Sequence, residues 1–215
     1  MAEYIVGAAL TSLRRISKVD RAIHQKSDEE VWWGTDNILD PSACHPAELH
    51  GKNAGLIGLG RIGRYLAGLL QPFNVDVRAY DPYVEDSVFE ESHCQRMELS
   101  ELLASSDIIV PLLPEVDETR NLLDGSALAR IQEGALILNA SRGSVIDQEA
   151  LIRNLRERRL WAALDVYEDE PLPDDSPLRK LDNVILTSHM AGPTPESARR
   201  HAAIAVEQLY EYMKS

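Results

Sequence analysis

Three side chains in the second half of the chain have the chemistry for proton transfer beside an anionic substrate. Arg142, Glu170 and His189 each follow a short apolar run. Arginine offers a fork of N–H donors that matches a carboxylate. A carboxylate beside an imidazole favours the cationic form of histidine, which can then donate a proton near neutral pH. An acid, an arginine and a histidine that converge have the composition of a hydride-transfer site for a carbonyl or hydroxyl substrate.

Each of these residues also has a structural explanation when it is considered alone. An arginine after a strand often forms a surface ion pair, and a glutamate in an acidic loop is often simply solvated. His189 could be a histidine at a strand end with a structural partner. The catalytic hypothesis therefore depends on the elements that bring the three residues together.

A glycine-rich turn lies between two apolar runs and predicts a second site. Gly58, Gly60 and Gly63 form a G-x-G-x-x-G motif, and the next apolar run ends on Asp81. The first glycine permits a tight turn, the second lets a pyrophosphate approach the backbone, and the third lets the following helix lie close to the sheet. Unpaired N–H groups at the helix N-terminus would face the phosphates. Asp81 would accept hydrogen bonds from the adenosine ribose, so the motif predicts a dinucleotide site.

Asp81 also bears on the choice between the two nicotinamide cofactors. Its negative charge would repel a 2′-phosphate, so we expect NAD(H) to be preferred over NADP(H). Arg78, two residues earlier, is the basic residue nearest in sequence that could offset this charge. A glycine motif alone would fit a flexible turn equally well, but here a strand, a helix and an acid stand in register with it.

The elements that must position these residues alternate along the chain. Short apolar runs predict strands, and apolar residues at helical spacing predict helices between them. The predicted strands are 54–58, 75–80, 94–97, 107–113, 135–139, 161–165 and 183–187. The predicted helices are 2–17, 61–70, 100–104, 126–131, 147–158 and 195–213. Such alternation predicts an α/β fold of the Rossmann type, with a doubly wound, mostly parallel sheet of about seven strands and helices on both faces.

Ligands of such sheets bind beyond the carboxyl ends of the strands. Residues directly after the predicted strands are therefore the candidates for cofactor contacts. Besides the three motif glycines and Asp81, the predicted cofactor-binding residues are Arg61, Ile62, Leu113, Pro114, Thr119, Ala140, Ser141, Arg142 and Asp165. Pro111 would interrupt a strand that should be central, where a proline removes a hydrogen bond of the ladder.

Composition narrows the possible partners. The net charge of −13 argues against a nucleic acid or an anionic membrane as partner, and the sequence contains no apolar run long enough to span a bilayer. Cys44 and Cys94 lie far apart, without a spacing typical of metal ligands, so we expect two reduced thiols and no metal site. These features favour a cytoplasmic protein.

Four motifs in order resemble the D-isomer-specific 2-hydroxyacid dehydrogenase family. They are Gly-Lys-Asn-Ala-Gly-Leu-Ile-Gly-Leu-Gly-Arg-Ile-Gly at 51–63, Leu-Asn-Ala-Ser-Arg-Gly at 138–143, Ala-Leu-Asp-Val-Tyr-Glu-Asp-Glu-Pro at 163–171 and Asn-Val-Ile-Leu-Thr-Ser-His at 183–189. The resemblance implies NAD as the cofactor and a small 2-hydroxy or 2-oxo acid as the substrate. It implies that Arg142 holds the substrate carboxylate and carbonyl oxygen, and that Glu170 pairs with His189, the acid/base. Asp165 would face the nicotinamide, and Ala140 and Ser141 would line the path of the cofactor.

The resemblance extends to assembly, because the family pairs through its cofactor domains. We expect a homodimer formed through residues 1–50, which comprise the helix at 2–17 and a polar, turn-rich segment that carries Val31, Trp32 and Trp33. Large apolar side chains in such a segment are hard to bury inside one domain.

The chain differs from the family pattern in extent. Residues 1–215 correspond to a single NAD-binding domain, and the smaller substrate-binding domain of the family is absent from this sequence. One wall of the cleft would then be missing, so we expect weak activity or none from this chain alone. Two alternatives are a non-catalytic dinucleotide-binding or dimerisation module, and an NAD-dependent dehydrogenase for another type of substrate.

Smaller differences lie close to the predicted site. The segment from Pro114 to Thr119 replaces a Pro-Leu-Thr-Pro-like segment of the family, and Glu115 and Asp117 would add negative charge near the adenosine end. Ser188 stands where a proline commonly precedes the histidine.

Overall fold

The computed structural model describes residues 1–25 and 46–214 and contains a seven-stranded sheet. The strand order is β3-β2-β1-β4-β5-β6-β7, and every neighbouring pair is parallel. The strands are β1 Asn53–Ile57, β2 Asp76–Tyr80, β3 Gln95–Arg96, β4 Ile108–Pro111, β5 Leu136–Asn139, β6 Trp161–Leu164 and β7 Val184–Leu186. This arrangement confirms the predicted doubly wound parallel sheet.

The strand order reverses between β1 and β4, which are adjacent in the sheet. The chain runs outward from β1 through β2 to β3, and then returns to β4 and continues in the opposite direction. The loops after β1 and β4 consequently diverge to opposite faces and leave a crevice at their carboxyl ends, where ligands of such sheets bind. The glycine turn follows β1 directly and lies at this point.

The described helices cover both faces of the sheet. They are α1 Ala2–Leu13, α2 Ile16–Gln25, α3 Arg61–Leu70, α4 Asp86–Glu91, α5 Leu99–Ser105, α6 Gly125–Arg130, α7 Gln148–Arg156 and α8 Pro195–Lys214. Asp147 caps α7, because its side chain accepts a hydrogen bond from the backbone N–H of Ala150. The short helix α4 was not predicted, since its six residues are too few to show a periodic pattern.

Two apolar clusters fill the space between the sheet and these helices. One cluster joins α1 and α3 to one face, where Ile5, Leu66 and Val110 are almost fully buried. The other joins α5, α6 and α7 to the opposite face, around residues such as Ile109 and Leu151. Side chains that alternate along β4 enter opposite clusters, as expected for a strand buried on both faces.

The prediction of one helix at 2–17 is wrong, because the chain turns between α1 and α2. Arg15 has a left-handed backbone with φ of 58°, which ends the first helix. Its guanidinium stacks on Trp161 with a distance of 3.2 Å from Cζ to the ring centroid. The apolar stripe of α1 packs inside this chain, since Ile5 and Ala9 are each only 2% exposed.

Pro111 is the last residue of β4 and does not interrupt the sheet. Its neighbour Leu112 donates its N–H to Ile57 of β1, so the nitrogen of Pro111 faces the other side, towards β5. The pairing between β4 and β5 covers only Ile108 and Ile109. The missing N–H therefore falls beyond the end of that ladder. The pairing of β4 with β5 thus stops before Pro111 although β5 continues to Asn139, as expected where a proline has no N–H to donate to the ladder.

Val31, Trp32, Trp33 and Cys44 lie outside the described residues. Among the residues that the structure describes, no helix is long and apolar enough to cross a membrane.

Candidate functional site

The three motif glycines meet different surroundings. Gly58 has φ of 100°, and a Cβ there would lie 2.8 Å from the carbonyl oxygen of Leu112. A Cβ on Gly63 would lie 2.6 Å from the carbonyl oxygen of Gly58, so this glycine lets α3 start against the turn. A Cβ on Gly60 would meet no protein atom within 4 Å. The fold itself therefore requires Gly58 and Gly63, whereas the backbone at Gly60 borders open space.

This open space suits a pyrophosphate. Gly60 is the N-cap of α3 and provides no side-chain hydrogen bond to the first turn. The N–H groups of that turn can thus be offered to an anion, and the helix dipole favours negative charge there. Arg61 and Ile62, in the first turn, are both exposed. These residues fit the phosphates of a dinucleotide.

Asp81 lies against the same turn. One carboxylate oxygen accepts the N–H of Leu59 at 2.8 Å, and the other accepts the N–H of Tyr83 at 2.9 Å. These two bonds fix the carboxylate at the end of β2, beside the glycine loop. Each carboxylate oxygen can accept a further hydrogen bond, so Asp81 keeps the capacity to bind ribose hydroxyls.

Arg78 points to the other edge of the sheet. Its guanidinium donates to the carboxylate of Asp76, to the side-chain oxygen of Asn53 and to the carbonyl oxygen of Ser105. Its side chain is 17% exposed. These contacts lie at the amino ends of the strands, so Arg78 does not offset the charge of Asp81.

The loop that carries Arg142 is organised by Asn139, a buried residue that the sequence did not single out. The side-chain oxygen of Asn139 accepts hydrogen bonds from the N–H and hydroxyl of Ser141, and its amide nitrogen donates to the carbonyl oxygen of Arg142. Ala140 and Ser141 are buried, at 2% and 5% exposure. Arg142 itself is exposed and donates to the carbonyl oxygen of Ser141 at 2.7 Å.

His189 and Glu170 form a direct pair. Nδ1 of His189 lies 2.7 Å from Oε2 of Glu170, and the other carboxylate oxygen accepts the N–H of Tyr167 at 3.0 Å. Burial works to raise the pKa of Glu170, but the hydrogen bonds from His189 and Tyr167 outweigh it and leave the pKa lowered. Glu170 is therefore ionised at neutral pH. Nε2 of the imidazole is left on the side away from the carboxylate, where it can exchange a proton with a substrate.

Asp165 is fully buried, and hydrogen bonds from its own chain surround its carboxylate. It accepts from the hydroxyl of Thr187 at 2.5 Å and from the N–H groups of Met190 and Ala191 at 2.9 and 2.8 Å. Its backbone oxygen accepts the N–H of His189 at 2.8 Å. These bonds attach the loop after β7 to the end of β6. That Asp165 also faces the nicotinamide stays a prediction.

The segment after β4 folds on itself. The hydroxyl of Thr119 donates to the carbonyl oxygen of Pro114 at 2.7 Å, and Glu115 forms an ion pair with Arg120 at 2.8 Å. That pairing offsets one of the two added negative charges. Leu113, two residues after the end of β4, is partly buried and packs against the cluster on the α5 side of the sheet.

The predicted site residues thus lie along one edge of the sheet. Arg142, Glu170 and His189 follow β5, β6 and β7, which are neighbours, and parallel strands place their carboxyl ends together. Glu170 and His189 are in direct contact and line a cleft of about 710 Å³ with Tyr167, Leu172 and Met190. Arg142 follows a neighbouring strand but does not line this cleft. Asn139 and Thr187 could have been noticed as polar residues that end apolar runs.

Comparison with known proteins places this geometry in a family. A family model described as D-isomer specific 2-hydroxyacid dehydrogenase, NAD binding domain, matches residues 6–191. A D-3-phosphoglycerate dehydrogenase from Archaeoglobus fulgidus is 34% identical over 99% of this chain and 38% of its own length. A glyoxylate reductase from Thermofilum pendens is 37% identical over 100% of this chain and 62% of its own length.

Solved structures agree with the sequence relatives. A D-lactate dehydrogenase from Aquifex aeolicus, complexed with NAD and lactic acid, superposes with a TM-score of 0.78 at 27% identity. That match covers 99% of this chain and 66% of the enzyme. The chain spans less than two thirds of the length of the two curated relatives. It belongs to the D-isomer-specific 2-hydroxyacid dehydrogenase family and comprises that family's NAD-binding domain.

Proposed function

We propose that this chain is the cofactor-binding half of an enzyme that interconverts 2-hydroxy and 2-oxo acids with NAD(H). The contact of 2.7 Å between His189 and Glu170, at the sheet edge that also carries Arg142, is the observation that supports this most strongly. NAD(H), when bound, supplies or accepts the hydride. The protein residues have to hold the acid, move a proton and orient the cofactor.

Each of the three side chains has one task in this proposal. The guanidinium of Arg142 binds the substrate carboxylate and carbonyl oxygen through its fork of donors. His189 donates a proton to the carbonyl oxygen during reduction and removes it during oxidation. Glu170 is ionised, and its hydrogen bond with Nδ1 orients the imidazole ring of His189.

The cofactor-binding residues follow the crevice between β1 and β4. Gly58, Gly60 and Gly63 with Arg61 and Ile62 hold the pyrophosphate, and Asp81 holds the adenosine ribose. The remaining contacts come from residues after β4, β5 and β6, namely Leu113, Pro114, Thr119, Ala140, Ser141, Arg142 and Asp165. We propose NAD(H) over NADP(H), because Asp81 is fixed beside the glycine turn and Arg78 is engaged at the opposite edge.

We further propose that residues 1–215 form one domain with feeble activity on its own. A second wall of the cleft would exclude water and fix the substrate, and correct positioning can contribute roughly 7–11 kcal/mol to lowering a barrier. The relatives are longer than this chain, which leaves room for such a wall in them.

The test is steady-state oxidation of NADH by this chain with glyoxylate, pyruvate and hydroxypyruvate. We expect slow turnover, below the ordinary range of ~1–10³ per second, that His189→Ala abolishes. His93→Ala is the matched control, because His93 is also exposed and has a left-handed backbone, with φ of 52° against 55° for His189. Turnover that His189→Ala leaves unchanged would contradict the proposal and favour a non-catalytic dinucleotide-binding module. Turnover in the ordinary range would contradict the requirement for a second wall.

A homodimer and a cytoplasmic location remain part of the proposal. The stripe of α1 no longer supports a dimer through residues 1–50, because it packs inside the chain. Ile16 and Ile23 of α2 support it instead, since they are 54% and 59% exposed. Light scattering at tens of micromolar should give twice the mass of 24.0 kDa, and a monomeric mass would contradict the dimer.

A further inference from the structure

Tyr4, in the first turn of α1, reaches the loop of the candidate acid/base. Its hydroxyl oxygen lies 2.6 Å from the hydroxyl oxygen of Thr187, a residue directly after β7. Burial raises the pKa of Tyr4, and the charge of Asp165 adds to this although the hydrogen bond with Thr187 opposes it. The tyrosine is therefore neutral and carries a proton that it can donate.

The direction of the hydrogen bonds follows from the number of protons. The hydroxyl of Thr187 lies 2.5 Å from Oδ1 of Asp165, and an ionised carboxylate can only accept. Thr187 thus donates its single proton to Asp165, and its oxygen is free to accept the proton of Tyr4. The result is a directed chain from Tyr4 through Thr187 to a carboxylate that is 0% exposed.

The carboxylate at the end of this chain holds the backbone around His189. Its two oxygens accept the N–H groups of Met190 and Ala191, and the backbone oxygen of Asp165 accepts the N–H of His189 itself. His189 has φ of 55°, in the left-handed region that residues other than glycine adopt uncommonly. Tyr167 adds a second hold, since its hydroxyl lies 2.7 Å from the carbonyl oxygen of Thr187.

We infer that Tyr4 and Thr187 are positioning residues for His189, acting through Asp165 to aim its imidazole at Glu170. The acid/base role of His189 rests on the proposed function, whereas the hydrogen bonds that position His189 do not depend on it. It gives α1 a part in the site, although Tyr4 precedes the glycine turn in sequence and lies on another element.

The imidazole of His189 itself is the best probe, because it can be followed without turnover. Two-dimensional NMR of the ring nitrogens separates the six histidines of the chain, and His189→Asn assigns the signal. We expect Tyr4→Phe and Thr187→Val to shift or broaden the ring-nitrogen signals of His189. Thr187→Ser, which retains the hydroxyl, should restore the wild-type signals. Tyr65→Phe is the matched control, since Tyr65 is 56% exposed on α3.

The outcomes separate a positioning role from a general contribution to stability. Loss of thermal stability in Tyr4→Phe and Thr187→Val with unchanged His189 signals would overturn the inference. Thr187→Val removes one hydrogen-bond donor from the buried carboxylate of Asp165. If Thr187→Val does not fold, Tyr4→Phe alone tests the inference, because it removes only a single oxygen atom. Where turnover is measurable, kcat should fall on the order of tenfold at unchanged KM for NADH. If the signals shift as expected but His189→Ala leaves turnover unchanged, the proposed function fails and the positioning inference stands.

Discussion

Glu170 and His189 are joined by a 2.7 Å contact between Oε2 and Nδ1, although they belong to loops that follow different strands. The glutamate follows β6 and the histidine follows β7, and the parallel pairing of these strands brings the loops side by side. The contact leaves the other ring nitrogen available to a substrate.

Replacement of Glu170 tests the pH dependence of this pair. The pKa of Glu170 is lowered from its ordinary value of 4.5, so its ionised form stabilises the folded state above that pH. This contribution is lost as the pH falls through the lowered pKa. Glu170→Gln should therefore reduce the free energy of unfolding at pH 7, by less than about 1 kcal/mol because the pair is partly solvated.

Urea unfolding at pH 7, 5 and 3 measures the difference between Glu170→Gln and the wild type. It should shrink at the lowest pH, and the exposed neighbour Glu168 provides the control variant Glu168→Gln. A difference that grows as the pH falls would be inconsistent with a lowered pKa.

Gly60 separates the requirements of the cofactor from those of the fold. A Cβ at Gly60 meets no protein atom within 4 Å, so Gly60→Ala should leave the melting temperature close to that of the wild type. The same methyl group would occupy the approach of the pyrophosphate, and NADH affinity should fall about tenfold or more, which corresponds to about 1.4 kcal/mol. Thermal unfolding and calorimetric titration with NADH measure the two effects.

Two other glycines complete this experiment. Gly68, inside α3, also has no neighbour within 4 Å of a Cβ, and Gly68→Ala should retain full NADH affinity. Gly63→Ala should destabilise the fold, because its Cβ would lie 2.6 Å from the carbonyl oxygen of Gly58. If Gly60→Ala binds NADH as tightly as the wild type does, the pyrophosphate does not bind at this turn.

Cys94 should react slowly although it lies near the edge of the sheet. Burial raises the pKa of its thiol to about 11, so at pH 8 only about one molecule in a thousand carries the thiolate. In the variant Cys44→Ser, labelling by a disulfide reagent at pH 8 should be far slower in the native chain than in urea. Equal rates in the two conditions would show that the thiol is exposed.

The sequence allowed the sheet to be predicted closely, because most strands are short apolar runs between polar turns, with the exposed edge strand β3, Gln95–Arg96, as an exception. The end of α1 could not be predicted in the same way. Arg15 adopts a left-handed backbone conformation while its guanidinium stacks on Trp161. A local sequence pattern cannot predict this contact, because Trp161 is distant in the chain. Helical periodicity alone continues through this position.

The residues of the candidate site can also be separated into those that the sequence predicted and those that it did not. Arg142, Glu170 and His189 were found from residue types that carry chemistry and from matching motifs. The residues that hold their loops were not predicted, because Asn139, which is buried, and Thr187, which is partly buried, resemble any polar residue at the end of an apolar run. The hydrogen bond from Asn139 to the carbonyl oxygen of Arg142 forms within one loop, whereas the bond from Thr187 to Asp165 depends on how the neighbouring strands β6 and β7 place their ends.

Calorimetric titration of the chain with NADH and with NADPH tests the central claim most directly. Asp81 should make NADH bind at least about tenfold more tightly than NADPH. Asp81→Asn keeps an acceptor but removes the charge, so it should narrow this ratio. Asp86→Asn, at an acid whose side chain is 80% exposed, should leave the ratio unchanged. Equal or tighter binding of NADPH by the wild type, or a ratio unaffected by Asp81→Asn, would contradict the account.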